Sequence, residues 1–453
     1  MRAVLISTYE MGRQPFGLAS AQAWLRRAGW EVEARDLSRD SLSPAEVAGA
    51  ALLGFYLPMH TATRLALRLL PALRAAAPGA HLCAFGLYAA INRELLESAG
   101  VATVLGPEFE AGLAALADAL ARKLPASVHH GPEPLPRLAW MVPDRTGLAP
   151  LDRYAALEGG GAGPRITGYT EASRGCKHHC RHCPLVPVYN GQFRVVTAEV
   201  VLTDIRQQVA RGAAHITFGD PDFFNGPTHA RRLIAALHRE FPQLSYDVTI
   251  KVEHLLRHHE LLPELRETGC VLVTTAVESF DDSILARLEK HHTRADILTA
   301  LQLTRAAGLA LNPTFVAFTP WTTPASFFEM CDAIDELNLV EQVAPVQYGI
   351  RLLIPRGSRL LDLPDAAEWL GPWDAEALSY RWHALDPAAD RLAERAQALV
   401  VEASQARRSR SDTFQQVWEL AAAAAAPGAG LPRHPPEAPA RATVPYLNEP
   451  WFC

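Results

Sequence analysis

Three of the seven cysteines, Cys176, Cys180 and Cys183, fall within eight positions, in the run SRGCKHHCRHCPLVPVYNG. Their spacing is C-x3-C-x2-C. Thiolates are the soft donors that iron–sulfur clusters and zinc take. A four-iron ferredoxin cluster closes its shell with four cysteines, and a structural zinc site closes with four ligands. Three thiolates on one short loop can hold three irons of a 4Fe-4S cube and leave the fourth iron open to a small molecule. His178, His179 and His182 interleave the cysteines, so zinc held by cysteine and histidine is the competing reading. A packing or disulfide role fits poorly, because adjacent loop thiols with basic neighbours are poor core material.

The elements that must position this loop follow from the pattern of the chain. Residues 164–375 repeat a strand–helix unit. Strands are predicted over 166–173, 215–219, 246–252, 270–277, 309–318 and 343–353. Helices are predicted over 198–213, 227–240, 261–268, 282–290, 295–307 and 325–337, with Thr197 and Asp281 as N-caps. The alternation predicts a partial (β/α)6 barrel. Reactive groups in parallel barrels collect on the loops after the strands, and the cysteine loop follows the first strand. Gly219, Asp220, Lys251, Glu253, Glu278, Ser279, Asn312, Thr314, Thr319, Gln347 and Arg351 sit at or near strand ends and are candidates to line the same mouth.

Upstream, residues 1–125 also alternate. Apolar runs at 3–7, 30–34, 51–56, 80–85 and 101–105 are separated by helical spacing at 17–28, 63–76 and 111–123. This predicts an α/β, doubly wound, Rossmann-like parallel sheet, whose ligands bind beyond the carboxyl ends of the strands. A proline-rich linker spans 126–163 and includes GGGAG, which holds no packed element. Residues 376–424 read as helical. Residues 425–453 form an Ala/Pro-rich arm that ends in TVPYLNEPWFC.

Length sets a prior of about three domains. Apolar residues are 49% and charged residues 20% of the 453, with net charge −6. That is the balance of a globular chain with a large core. No basic stripe stands out, so nucleic acid is not expected as a partner. No apolar run reaches ~18 residues, so no membrane span is expected, and MRAVLISTYE lacks the pattern of a signal peptide. Cys83, Cys270 and Cys331 sit alone in apolar contexts and read as reduced core thiols of a cytoplasmic protein. The histidine pairs at 129–130, 258–259 and 291–292 read as solvated surface.

The cysteine spacing resembles the signature of the radical S-adenosylmethionine (SAM) enzymes. The resemblance implies a 4Fe-4S cluster on Cys176, Cys180 and Cys183, with SAM chelating the free iron and cleaved to a 5′-deoxyadenosyl radical. It implies roles for the strand-end residues too. Gly219 and Asp220, in FGD, occupy the place of the family's glycine-rich motif that contacts the SAM amine, with one glycine and an aspartate where the family often has two glycines and a glutamate. Glu278 and Ser279, in AVESF, resemble the ribose-contacting segment. Asn312 and Thr314, with Thr319, resemble the segment near the adenine, and Arg351 would meet the SAM carboxylate or the substrate. His182 departs from the aromatic residue often found in the family's loop. The implied partners are a small-molecule or small-peptide substrate and a low-potential electron donor such as flavodoxin or ferredoxin. The competing class is a non-catalytic iron–sulfur or zinc protein for electron transfer or assembly.

The first block resembles the cobalamin-binding domain that precedes many radical SAM barrels, on QPFGLASAQAWLRRAGWEVEARDLS and GPEFEAGLAALADAL. This implies cobalamin as a further cofactor and opens methyl transfer or rearrangement. The family's Asp-x-His-x-x-Gly motif is absent, and TYEMGRQPFG in its region has no histidine. Bound cobalamin would lack that lower ligand, and His60 is the histidine placed to approach it. The ending EPWFC, with FGDPDFFN and FTPWTT, resembles the CUAEP/CCAEP-tail radical SAM (seleno)proteins. On that resemblance Cys453 is a functional thiol that reaches back to the barrel, and the chain is truncated at a UGA codon for selenocysteine.

Overall fold

The computed structural model describes residues 1–125, 138–159, 163–425 and 445–448. Cys453, most of the Ala/Pro-rich arm, part of GGGAG and the histidines at 129–130 lie outside these residues. Among the described residues no helix is long and apolar enough to cross a membrane.

The first sheet grows from β1 (Arg2–Ser7), whose residues from Ala3 onward are all buried. A strand buried on both sides needs a helical layer on each face. Ala3 and Leu5 enter one core with Leu25 and Trp30, while Val4 and Ile6 enter the other with Leu53 and Ala66. In chain order follow α1 (Phe16–Arg27), β2 (Glu31–Asp36), β3 (Leu52–Tyr56), α2 (His60–Ala76), β4 (His81–Phe85), α3 (Leu87–Ile91), α4 (Arg93–Ser98), β5 (Thr103–Leu105) and α5 (Glu110–Ala121). The strands are all parallel, in the order β2-β1-β3-β4-β5. The order reverses at β1, so the loops after β1 and β3 diverge and leave a crevice at the carboxyl edge.

The second sheet begins with β6 (Ala156–Glu158) and β7 (Arg165–Thr170). After β7 come β8 (Ser173–Gly175), α6 (Val186–Tyr189), β9 (Phe193–Val195) and α7 (Ala198–Val209). The strand–helix units continue as β10 (His215–Phe218), α8 (Pro227–Glu240), β11 (Ser245–Thr249), α9 (Val252–Arg257), α10 (Leu262–Glu267), β12 (Cys270–Glu278), α11 (Asp282–Arg287), α12 (Arg294–Ala306), β13 (Ala310–Phe315) and α13 (Pro324–Glu336). Strands β7, β10, β11, β12 and β13 pair in that order, all parallel. Asp281 caps α11 as predicted, accepting from the Ser283 and Ile284 backbone. The helix after β9 starts at Thr197, whose side chain makes no capping bond.

The predicted sixth strand, 343–353, is not a strand. Pro345 opens a 3-10 turn at Pro345–Gly349, and only a bridge between Phe318 and Arg351 continues the sheet. Proline has no N–H to give to a ladder. Past it lie α14 (Ala366–Trp369) and an unpredicted hairpin, β14 (Leu370–Asp374) with β15 (Ser379–Trp382), then α15 (Pro387–Gln405) and α16 (Arg410–Ala425). Last, β16 (Tyr446–Leu447) pairs antiparallel with β6 and extends the barrel sheet at the far edge.

The segment between the two sheets carries a structural anchor. Arg145 is fully buried and donates to Gln14 Oε1 at 2.7 Å, to Tyr169 O at 2.6 Å, and to both Asp204 oxygens at 2.7 and 2.9 Å. It ties the loop before α1 to β7 and α7.

Candidate functional site

The cysteine loop is framed by an antiparallel ribbon. Strands β8 and β9 pair Ser173 with Val195 and Gly175 with Phe193. Gly175 has φ +77°, and a Cβ there would lie 2.4 Å from the Gln192 carbonyl oxygen, so the turn into Cys176 requires glycine. The loop backbone is held from several sides. Arg181 N donates to Leu288 O at 2.9 Å, Arg359 to His179 O at 3.0 Å, Ser358 Oγ to Arg181 O at 3.0 Å, and Lys177 N to Asn225 Oδ1 at 3.2 Å. A loop fixed by α11, by the segment after the barrel and by the turn after β10 can present side chains in one geometry.

Cys180 is buried, Cys176 and Cys183 are half-buried, and all three are free thiols. Burial pushes the Cys183 thiol up to about 12 and raises that of Cys176. Desolvated thiols hold their protons unless a metal takes the sulfur, and a coordinating thiol is deprotonated outright. Lys290 is buried beside Cys180 and Cys183, an ammonium that offsets the charge of a thiolate-bound group. The donor set therefore fits a metal cluster with three sulfur ligands. The other cysteines predicted as core thiols, Cys83, Cys270 and Cys331, are buried.

Glu278 stands at the end of β12 with φ +69°. Its Oε1 takes both His182 Nε2 at 3.1 Å and Lys290 Nζ at 3.2 Å. Although burial works against the charge, Lys290 and His182 hold this carboxyl well below the usual carboxylate range. His182 thus straps the cysteine loop to the strand end. Ser279, next along, accepts from Asp281 N at 3.0 Å.

Asp220 is buried, and its carboxylate is engaged by Ala172 N at 2.9 Å and by Ser173 Oγ. Burial raises its carboxyl to about 7. These bonds join β10 to the β7–β8 connection and use both oxygens. Gly219 faces the Tyr169 ring, and a Cβ there would come within 1.9 Å of the Tyr169 hydroxyl. Thr314 sits on β13 opposite Ala276 of β12, and Asn312 donates to Thr274 Oγ1 at 3.2 Å. Thr319 is taken up by a turn with Thr322, and Gln347 accepts from Phe315 N at 2.9 Å. The structure does not bring Arg351 to the cysteine loop: it lies over the Trp382 ring at 4.0 Å and pairs with Asp390 at 2.9 Å. Lys251 and Glu253 do reach the loop, with Lys251 Nζ 3.0 Å from His178 Nδ1.

A cavity of about 200 Å³ opens between the carboxyl edge of the first sheet and the flank of the cysteine loop. Glu10, Tyr56 and Gly86 line it from the first sheet; Tyr169, Glu171 and Arg174 line it from the barrel. Burial raises the carboxyls of Glu10 and Glu171. Arg174 crosses the interface to pair with Glu110 at 2.7 Å and pairs on its own side with Glu171 at 2.7 Å. Among the described residues no histidine lines the cavity. His60 turns to the Ala377 carbonyl instead, and burial lowers its imidazole. The place suits a ligand of the first sheet, but the cavity as it stands is smaller than the ~300–1,000 Å³ of ordinary ligand sites.

Sequence reasoning missed Arg145, Arg174, Glu110 and Lys290, because partners that far apart in the chain leave no local spacing. It also misread His292, which is buried and bonds to Val277 O at 3.2 Å; His259 and His291 are exposed as predicted.

Residues 170–322 match the Radical SAM superfamily. They run from the end of β7, through the cysteine loop, to the turn before α13. Ribosomal protein uS12 methylthiotransferase RimO of Opitutus terrae is 24% identical over 242 residues, covering 49% of this chain and 49% of that protein. The chain thus spans about half the length of that curated relative. Solved structures resemble the fold, two of them as follows. The radical SAM methyltransferase TsrM of Kitasatospora setae, with tryptophan and a SAM analogue bound, has TM-score 0.60 at 18% identity, covering 74% of this chain and 71% of that one. The cobalamin-dependent SAM radical enzyme OxsB, with aqua-cobalamin and SAM bound, has TM-score 0.68 at 14% identity, covering 92% and 70%.

Proposed function

We propose that this chain, whose residues 170–322 match the Radical SAM superfamily, is a radical SAM enzyme in which Cys176, Cys180 and Cys183 hold three irons of a 4Fe-4S cluster and SAM takes the fourth. The observation that carries this is the trio of free thiols on one pinned loop, beside a buried ammonium, at the carboxyl end of a parallel barrel sheet. When bound, the reduced cluster with SAM supplies homolytic cleavage of the sulfonium to a 5′-deoxyadenosyl radical, which removes a hydrogen atom from an unactivated position. The protein's part is to bind, orient and exclude water.

His182 and Lys290 both meet Oε1 of Glu278, so Oε2 is the oxygen assigned to a ribose hydroxyl. Gly219 presents backbone beside Tyr169 for the SAM amine, with Asp220 bracing that turn. Thr314 on β13 is assigned to the adenine side. Arg351, engaged with Asp390, is assigned no contact to SAM. A low-potential electron donor such as flavodoxin or ferredoxin is the expected partner, and the substrate is a small molecule or small peptide. The test is anaerobic reconstitution with dithionite: SAM is converted to 5′-deoxyadenosine, and Cys180→Ala abolishes the conversion.

A second reading adds cobalamin at the carboxyl edge of the first sheet, with methyl transfer as the reaction class. It is favoured by the likeness to TsrM and OxsB and by the cavity that faces the cysteine loop there. Its corrin would have no histidine from the cavity lining as a lower ligand and would require the cavity to widen. Equilibrium dialysis against hydroxocobalamin tests it. The finer resemblance, to the CUAEP/CCAEP-tail proteins with Cys453 as a working thiol, rests on EPWFC, FGDPDFFN and FTPWTT. The codons that follow Cys453 test it: UGA and then Ala-Glu-Pro supports it, and another stop ends it.

A further inference from the structure

We propose that His178, Asp222 and His254 form a separate metal site that takes one divalent transition cation through nitrogen and oxygen donors alone. His254 Nδ1 lies 2.7 Å and His178 Nε2 3.4 Å from Asp222 Oδ2, and the three atoms are all within 4.8 Å of one another. The side chains are closed off from water, with 1% of Asp222, 4% of His254 and 11% of His178 exposed. Yet none of the three atoms makes an aligned hydrogen bond. The 2.7 Å contact is short but out of line. A buried polar atom left unaligned costs ~1–3 kcal/mol, and a cation seated among these three satisfies all of them at once.

The remaining polar atoms aim the donors inward. Asp222 Oδ1 accepts from Phe224 N at 3.1 Å, which leaves Oδ2 for the metal. His178 Nδ1 faces Glu253 Oε2 at 3.5 Å as well as Lys251 at 3.0 Å. A ligating imidazole hands its other N–H to a carboxylate. With metal on Nε2, His178 Nδ1–H turns to Glu253, and Lys251 keeps its own contact to Glu253 at 3.4 Å. Two imidazoles and a carboxylate suit zinc with an open fourth position or ferrous iron. The Irving–Williams order gives zinc the tighter hold of the two.

The site's place gives it a role. His178 lies between Cys176 and Cys180, Asp222 follows β10, and His254 is on α9. A cation here fastens the cysteine loop to the ends of two strand–helix units, whatever the cysteines themselves hold.

The probe is zinc chloride, added to oxygen-free protein whose cluster has been reconstituted, followed by desalting, metal analysis and zinc-edge X-ray absorption. The site predicts one zinc per chain with a nitrogen/oxygen shell. His254→Gln should lower zinc affinity more than ~100-fold, beyond the loss of an outer-shell partner, while the iron content stays unchanged. Should His254→Gln fail to fold, Asp222→Asn, which keeps the bond to Phe224 N, decides in its place. No retained zinc, uptake equal in variant and wild type, or sulfur in the zinc shell would overturn the site. Sulfur ligation with missing iron would count separately against the cluster on the cysteines.

Discussion

The Arg145 guanidinium meets both oxygens of Asp204, at 2.7 and 2.9 Å, with neither side chain exposed by more than 1%. Breaking such a pair strands a buried charge, at a cost of about 3–5 kcal/mol, whereas replacing both partners is often neutral. Asp204→Ala should therefore lower the urea midpoint sharply, and Arg145→Met with Asp204→Leu should recover most of the loss. Equal losses in the single and double variants would mean that Arg145 acts through Gln14 and Tyr169 alone.

Gly219 is held to glycine by the Tyr169 ring. Gly219→Ala drives a methyl into that ring, and overpacking of this kind costs ~1–3 kcal/mol. Thermal denaturation should show the loss, and Tyr169→Leu placed beside it should relieve it. A neutral Gly219→Ala would remove the packing account of this glycine.

His292 sets a pH dependence. Burial lowers its imidazole to about 4, against about 6.5 in an unfolded chain. Between those values the unfolded state binds the extra proton and the folded state does not. Stability from this group is therefore lost as pH falls from about 6.5 to about 4, by up to about 3 kcal/mol. Urea unfolding at pH 7.5 and pH 5 should show a smaller acid loss in His292→Phe than in wild type. An identical loss would assign the effect to other groups.

How much of this was readable beforehand depends on the distance between partners. The cysteine spacing and the strand–helix alternation are local, and the structure reproduces five of the six predicted barrel strands. The sixth failed at Pro345, where an apolar run looks like a strand but lacks the N–H a ladder needs. Lys290, Glu110 and Arg145 gave no signal because their partners are not their neighbours in the chain. His292 looked solvated because a histidine's neighbours in sequence say nothing of the carbonyl it meets in space. Arg351 was placed at the mouth by its position on the expected sixth strand, and the hairpin that brings Trp382 to it had no signal in the turn residues.

Glu278 is both counter-ion to Lys290 and the assigned ribose contact. Glu278→Gln keeps the shape and removes the charge. Loss of one charged hydrogen bond, ~1.5–3 kcal/mol, should weaken SAM binding at least ~10-fold with the cluster absorbance intact. Unchanged SAM affinity with reduced stability would leave Glu278 as a counter-ion only.

The most direct measurement is the fate of SAM on oxygen-free, reconstituted, dithionite-reduced protein. The open iron position predicts 5′-deoxyadenosine from wild type and none from Cys180→Ala. A centre saturated by protein ligands, with no deoxyadenosine from wild type, would contradict it.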